Sequence, residues 1–227
     1  MEKKEFLKAA KADFEPKSSG VSIKLSGASQ KAFGVIKFIL GVSLLPLVYS
    51  STTAFLNEFN TVEKPLQDAF WSGIVVFLAV YLFIWEPAVI YYRGQRLLEI
   101  IFTFFKPLVR VAPYLLPIYA IVLFLLYWPV SLLVRSGDLL PYFIFLFGFS
   151  IGLHLVFSAK VIRGKKEDFL KANYLFGFSF IYILNLVLFA AILNMLFAKF
   201  SFVNFLNNAA LTAQGIFSAV FRQLFLR

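Results

Sequence analysis

The sequence predicts an all-α fold, a polytopic bundle of membrane-spanning helices, and three observations carry that prediction. Hydrophobic residues make up 60% of the 227 and the mean hydropathy is +0.81, against ~45–50% apolar in a soluble domain. The apolar residues are gathered in about five runs, each long enough to cross a hydrocarbon layer ~30 Å thick. The basic residues are gathered between alternate runs, as a membrane topology requires.

Residues 1–32 are polar and carry seven lysines. The segment reads as a cytoplasmic basic tail, because no apolar stretch or small-residue cleavage site follows the charges closely. The transmembrane domain occupies 33–198. Its first predicted span, 33–56, holds Lys37 one turn inside its start, where the ammonium can snorkel to the headgroups, and Pro46, which predicts a kink. A polar loop is expected over 57–68. The second span, 69–92, opens on Phe70-Trp71, an interfacial aromatic pair, and closes near Glu86-Pro87. Residues 91–110 mix Arg93, Arg96, Glu99, Lys106 and Arg110 with a stripe of Leu and Ile, and predict an amphipathic helix at the interface. The third span, 111–134, contains Pro113, Pro117 and Pro129. Three prolines predict a broken helix, tolerated in lipid only where protein or water satisfies the freed carbonyls. The fourth span is 139–159 and the fifth 173–198. Residues 199–227 alternate bulky apolar and small polar residues, and predict an amphipathic helix at the interface or packed on the bundle.

Orientation follows from the loops. The tail, the segment after the second span and the loop after the fourth hold sixteen Lys and Arg; the other two loops hold only Lys64 and Arg135. This places the amino terminus in the cytoplasm, and a bacterial cytoplasmic (inner) membrane is the expected location. Cysteine is absent, which removes disulfides and thiolate chemistry. The net charge of +10 resides in short loops beside spans with no recognition motif, so a nucleic-acid partner is not expected. The expected partners are the bilayer, its anionic headgroups and other membrane proteins; no cofactor is expected.

The candidate polar groups are few. His154 is the single histidine, placed inside the fourth span; an intramembrane ionisable group is a functional candidate, although a neutral imidazole bonded to a neighbouring helix is the simpler role. Ser150 and Ser158 share its helical face. Glu86 could pair with Arg93 or Lys37. Asn185 and Asn194 in the fifth span are expected to bond across helices. Lys160, Arg163, Lys165 and Lys166 form a cluster suited to anionic headgroups and to fixing topology.

The run Gly94-Gln95-Arg96-Leu97-Leu98-Glu99, after an apolar span ending in Tyr91-Tyr92, resembles in layout the G-H-E-x-x-H segment of intramembrane zinc metallopeptidases of the site-2 protease type. The resemblance extends through Ala112-Pro113-Tyr114, His154 and Asp168, over about 69–195. It puts Gln95 and Glu99 where the family has its two zinc-ligating histidines, Arg96 where it has its general base, and Asp168 where a distal acidic ligand would fall. Gln is a poor zinc ligand and a cation repels the metal. The resemblance therefore implies an inactive, protease-like scaffold. Three functions follow as expectations: a non-catalytic membrane subunit or scaffold binding partner helices or lipid, a small oligomeric transporter or channel subunit, and, last, an active membrane enzyme.

Overall fold

The computed structural model describes residues 27–103, 112–133, 139–164 and 174–225. Among them the chain is helical throughout, with no strand, and forms an all-α bundle. The elements are α1 (Gly27–Phe59), α2 (Lys64–Ala79, continued by a π-helical turn Val80–Ile84), α3 (Ala88–Ile101), α4 (Ile118–Leu133), α5 (Leu139–Gly164), α6 (Tyr174–Leu196) and α7 (Phe202–Phe225). A short helical turn occupies 112–115.

Four of these elements are long and apolar enough to cross a membrane: Phe33–Phe59, Lys64–Ile84, Leu139–Arg163 and Tyr174–Leu196. The chain is an integral membrane protein. The 16-residue α4 spans only ~24 Å at 1.5 Å per residue. The expected third span, 111–134, is divided by the interruption at 116–117.

The boundaries move for identifiable reasons. The expected loop over 57–68 shrinks to four residues, because Asn57–Phe59 complete α1 and Lys64–Asp68 begin α2. Pro65 sits in the first turn of α2, where its missing N–H costs nothing, and Lys64 pairs with Asp68 at 3.1 Å. The second span ends at Ile84 rather than 92. The amide of Trp85 donates to the carbonyl of Val80 at 2.8 Å, closing the π turn. Trp85 is extended, and Pro87 then starts α3. Phe70, expected at the interface, is 3% exposed and belongs to the core, while Trp71 beside it faces out. Pro46 lies within an uninterrupted α1.

The most extensive helix contact joins α2 to α5, and glycine makes it possible. A Cβ on Gly73 would fall 2.0 Å from the carbonyl oxygen of Phe145, and one on Gly148 would fall 2.1 Å from that of Phe70. One turn further on, a Cβ on Gly152 would meet the Phe77 ring at 2.8 Å. Lipid tails are as apolar as side chains, so membrane helices associate by close packing rather than by expelling water. Gly148 and Gly152, one turn apart, give α5 a groove for that packing.

Two buried clusters then divide α5. Around its amino-terminal half, Phe55, Phe59, Phe70, Phe147, Phe189, Phe200 and Phe205 form an aromatic core. Ring centroids lie 4.9 Å apart for Phe70–Phe189, 5.2 Å for Phe59–Phe70 and 5.5 Å for Phe55–Phe59. Such pairs contribute ~0.5–1.5 kcal/mol each beyond their buried area. The loop before α7 is tied to the same end. Thr61 donates to the carbonyl of Lys199 at 3.0 Å, and the carboxylate of Glu58, 8% exposed, accepts the amide of Ser201 at 3.3 Å. Ser201 caps α7 by accepting the amide of Asn204 at 3.2 Å. Around the carboxyl-terminal half of α5 the second cluster, built on Phe77, Tyr91, Leu153 and Phe157, adjoins the polar residues described next.

Candidate functional site

The centre of this site is the backbone between 112 and 118. The amide of Leu116 bonds the carbonyl of Ala112 at 2.9 Å, and the helix resumes when the amide of Ile121 bonds Pro117 at 3.1 Å. Three consecutive carbonyls in between lose their helical partners. That of Pro113 would take the amide of residue 117, but Pro117 has none. That of Tyr114 would take the amide of Ile118, which bonds Leu116 at 2.9 Å instead. That of Leu115 faces residue 119, at the unpartnered start of α4. Inside a membrane each free carbonyl costs several kcal/mol.

Side chains from three other helices supply the missing donors. Gln95 of α3 donates from Nε2 to the carbonyl of Pro113 at 3.0 Å. The carbonyl of Tyr114 accepts from Ser158 of α5 at 3.4 Å and from the imidazole of His154. Asn185 of α6 donates from Nδ2 to the carbonyl of Leu115 at 3.1 Å and to that of Ile181 at 2.9 Å. Tyr91 and Ser158 share a hydrogen bond of 3.1 Å, and Ser158 lies 3.4 Å from Nε2 of His154. Gln95, His154, Ser158 and Asn185 are all at most 4% exposed. Across the α3–α4 contact Tyr119 donates to the carbonyl of Ile90, and Gly94 makes room: a Cβ there would come 2.7 Å from Ile118 and Tyr119.

The space left over is small. A cavity of about 10 Å³ lies among Tyr91, Gln95, Tyr119, Ser150 and His154, the room one water needs. The side-chain oxygen of Gln95 is buried with no protein partner, as is that of Asn185. Ser150 lines the cavity and donates to its own helix at the carbonyl of Phe147, 3.0 Å.

The face that α3 turns inward was not the one its hydropathy indicates. Leu97, Ile100 and Ile101 are exposed, while Ala88, Tyr91, Gly94, Gln95 and Leu98 are buried. The apolar stripe stays on the outside of the bundle beside Arg93 and Arg96, and the interior takes the face that can approach closely and donate hydrogen bonds.

Of the other candidates, Glu86 pairs with Lys160 of α5, not with Arg93 or Lys37. Both groups are about half exposed, so the pair contributes under ~1 kcal/mol. Lys37 is 2% exposed, with Nζ 4.0 Å from the Phe33 ring centroid, one turn back along α1. Neither Lys37 nor Glu86 lines the cavity of His154. Glu99 is half-buried on α3, and burial raises its carboxyl above the usual range, with Arg96 opposing the shift. Asn194 bonds to a neighbouring helix as expected: its side-chain oxygen accepts the amide of Phe202, the first residue of α7, at 3.0 Å and so helps start that helix. Arg163 is exposed at the end of α5. Asp168, Lys165, Lys166 and the tail 1–26 lie outside the described residues, as do 104–111.

Sequence reasoning named Gln95, His154 and Asn185 without naming what joins them. Pro113 and Pro117 were the available signal: a proline four residues after a helical carbonyl leaves that carbonyl without a donor. Glu58 was missed, and nothing in its surroundings in the sequence marks it. Among the described residues no three His, Cys, Asp or Glu gather as metal ligands would. No protein-family model matches the chain, and no curated protein or solved structure is found to be similar to it.

Proposed function

We propose that the chain is a non-catalytic integral membrane subunit or scaffold that binds partner helices, in a bacterial cytoplasmic membrane with its amino terminus inside. The observation that carries this reading is the use made of the buried polar groups. Gln95, His154, Ser158 and Asn185 direct their donors to the backbone of one broken segment. A side chain holding a backbone carbonyl is committed to the fold, and the space beside it admits about one water. Lys160 and Arg163 on the same end of α5 suit anionic headgroups.

The likeness of the Gln95–Glu99 segment to intramembrane metallopeptidases fits this reading. At the position the resemblance gives to the first zinc ligand, the amide of Gln95 holds a backbone carbonyl, which supports a structural role for that residue. A transporter would be favoured by Lys37, Glu86 and His154 sharing one aqueous cavity, which they do not.

Purification from membranes in a mild detergent tests the proposal. A second membrane protein in stoichiometric amount is the expected result. A preparation containing this chain alone as a monomer would overturn it.

A further inference from the structure

The hydrogen bonds around the cavity of about 10 Å³ decide what kind of molecule it can hold. Gln95 of α3, Tyr119 of α4 and Ser150 of α5 all line it. Ser150 gives its hydroxyl proton to the carbonyl of Phe147, and Tyr119 gives its own to that of Ile90. Both hydroxyls are thus spent as donors on the backbone, and what they retain is lone pairs. Gln95 gives a proton of Nε2 to the carbonyl of Pro113 at 3.0 Å. Its side-chain oxygen is buried and meets no donor within the protein. The polar atoms left over at this cavity are acceptors, so an occupant has to donate.

An unpaired buried oxygen carries the full penalty of losing its hydration, and polar cavities of this kind hold water where apolar ones stay dry. The volume admits one water and no organic molecule. A water brings two protons, one for Gln95 and one for a hydroxyl oxygen of the wall. A cation fits the acceptors less well. Among the described residues that line the cavity none is acidic, so its charge would stand uncompensated inside the membrane.

We infer that the cavity is a binding site for a single water, which donates one proton to Oε1 of Gln95 and the other to the hydroxyl oxygen of Ser150 or Tyr119. The water ties α3 to a second helix beside the proline break. It also fixes the plane of the Gln95 amide, because Oε1 and Nε2 are then both engaged, and Nε2 stays aimed at the carbonyl of Pro113. Nothing at this site depends on a second protein, so the water is expected whether or not the scaffold reading holds.

Radiolytic hydroxyl-radical labelling of the full chain in lipid nanodiscs tests the site, because a radical formed from a bound water oxidises the side chains that touch it. Tyr91, on the cavity wall, is 2% exposed, and Phe147, in the aromatic core, is 0% exposed. Tyr91 should be oxidised several-fold faster than Phe147 despite this similar burial. Gln95→Leu removes the unpaired oxygen and should slow oxidation at Tyr91 several-fold while leaving Phe147 unchanged. In the native chain, a structure at a resolution that shows waters should place one peak within ~3.2 Å of Oε1 of Gln95, which decides the matter even if Gln95→Leu fails to fold. Equal rates at Tyr91 and Phe147, unmoved by Gln95→Leu, would overturn the water, as would a cavity without density in that structure. An anomalous peak at the site in crystals soaked in rubidium would overturn it in favour of a cation.

Discussion

The two halves of α5 sit in different kinds of interior. The amino-terminal half packs among phenylalanines, where shape and dispersion hold the helices together. The carboxyl-terminal half packs beside a broken helix, where Gln95, His154, Ser158 and Asn185 hold three carbonyls. The first interior tolerates hydrophobic substitution that conserves volume and is weakened by truncation. The second tolerates little change of either kind, since each polar group answers a specific backbone atom. The difference shows that polar residues inside a membrane protein need not indicate a ligand: a broken helix creates its own demand for them.

The largest effect is expected at the joint between the halves. Gly148→Ala drives a Cβ to about 2.1 Å from a backbone oxygen. That clash exceeds ordinary overpacking, which costs ~1–3 kcal/mol. Loss of folded protein in fluorescence-detected size exclusion is the predicted outcome; a normal yield would show that α2 and α5 cross elsewhere. In the aromatic half, Phe189→Ala removes a ring stacked on Phe70 and should lower stability by ~2–3 kcal/mol, less than the ~3–5 of a water-soluble core because lipid replaces part of the contact. Phe189→Leu should cost clearly less, and equal losses would mean that ring geometry matters more than volume.

In the polar half the order reverses. Asn185→Leu conserves volume but abandons the carbonyl of Leu115, and should cost ~1 kcal/mol in thermal unfolding in detergent. An increase in stability would instead mark Asn185 as a group kept for activity at the fold's expense. The smallest effect concerns Glu99, on α3 outside the spans. Its folded carboxyl titrates above the reference value of 4.5 because of burial. Its contribution is therefore full below pH 4.5 and is lost as pH rises through the raised value. Glu99→Gln should flatten the unfolding temperature across that window, and an unchanged profile would place the pH dependence on another group.

Much of the fold was legible in the sequence. Long apolar runs gave the helices and their number to within α4, and Pro113 and Pro117 marked the break, whereas Pro129 lies inside an unbroken α4. The junctions were less legible. The expected loop at 57–68 shrank to four residues, on its α2 side because Pro65 and the Lys64–Asp68 pair favour a helix start, and hydropathy does not register either. The inward face of α3 was obscured for a related reason. Hydropathy marks Leu97, Ile100 and Ile101, yet in a bilayer the apolar stripe is as well placed outside as inside. Gly73 facing Phe145 could not be read at all, since one chain's sequence does not say which helices meet, although Gly148 and Gly152 one turn apart hinted at a close crossing.

The central claim is that the buried polar side chains exist to serve the break created by proline. A double-mutant cycle between Pro117→Ala and Gln95→Met tests it most directly, read by thermal unfolding in detergent. Alanine at 117 restores the amide that the carbonyl of Pro113 lacks. Gln95→Met should then cost ~1 kcal/mol less in the Pro117→Ala background than in the native chain. Additive losses, with no coupling between residues 95 and 117, would contradict the account.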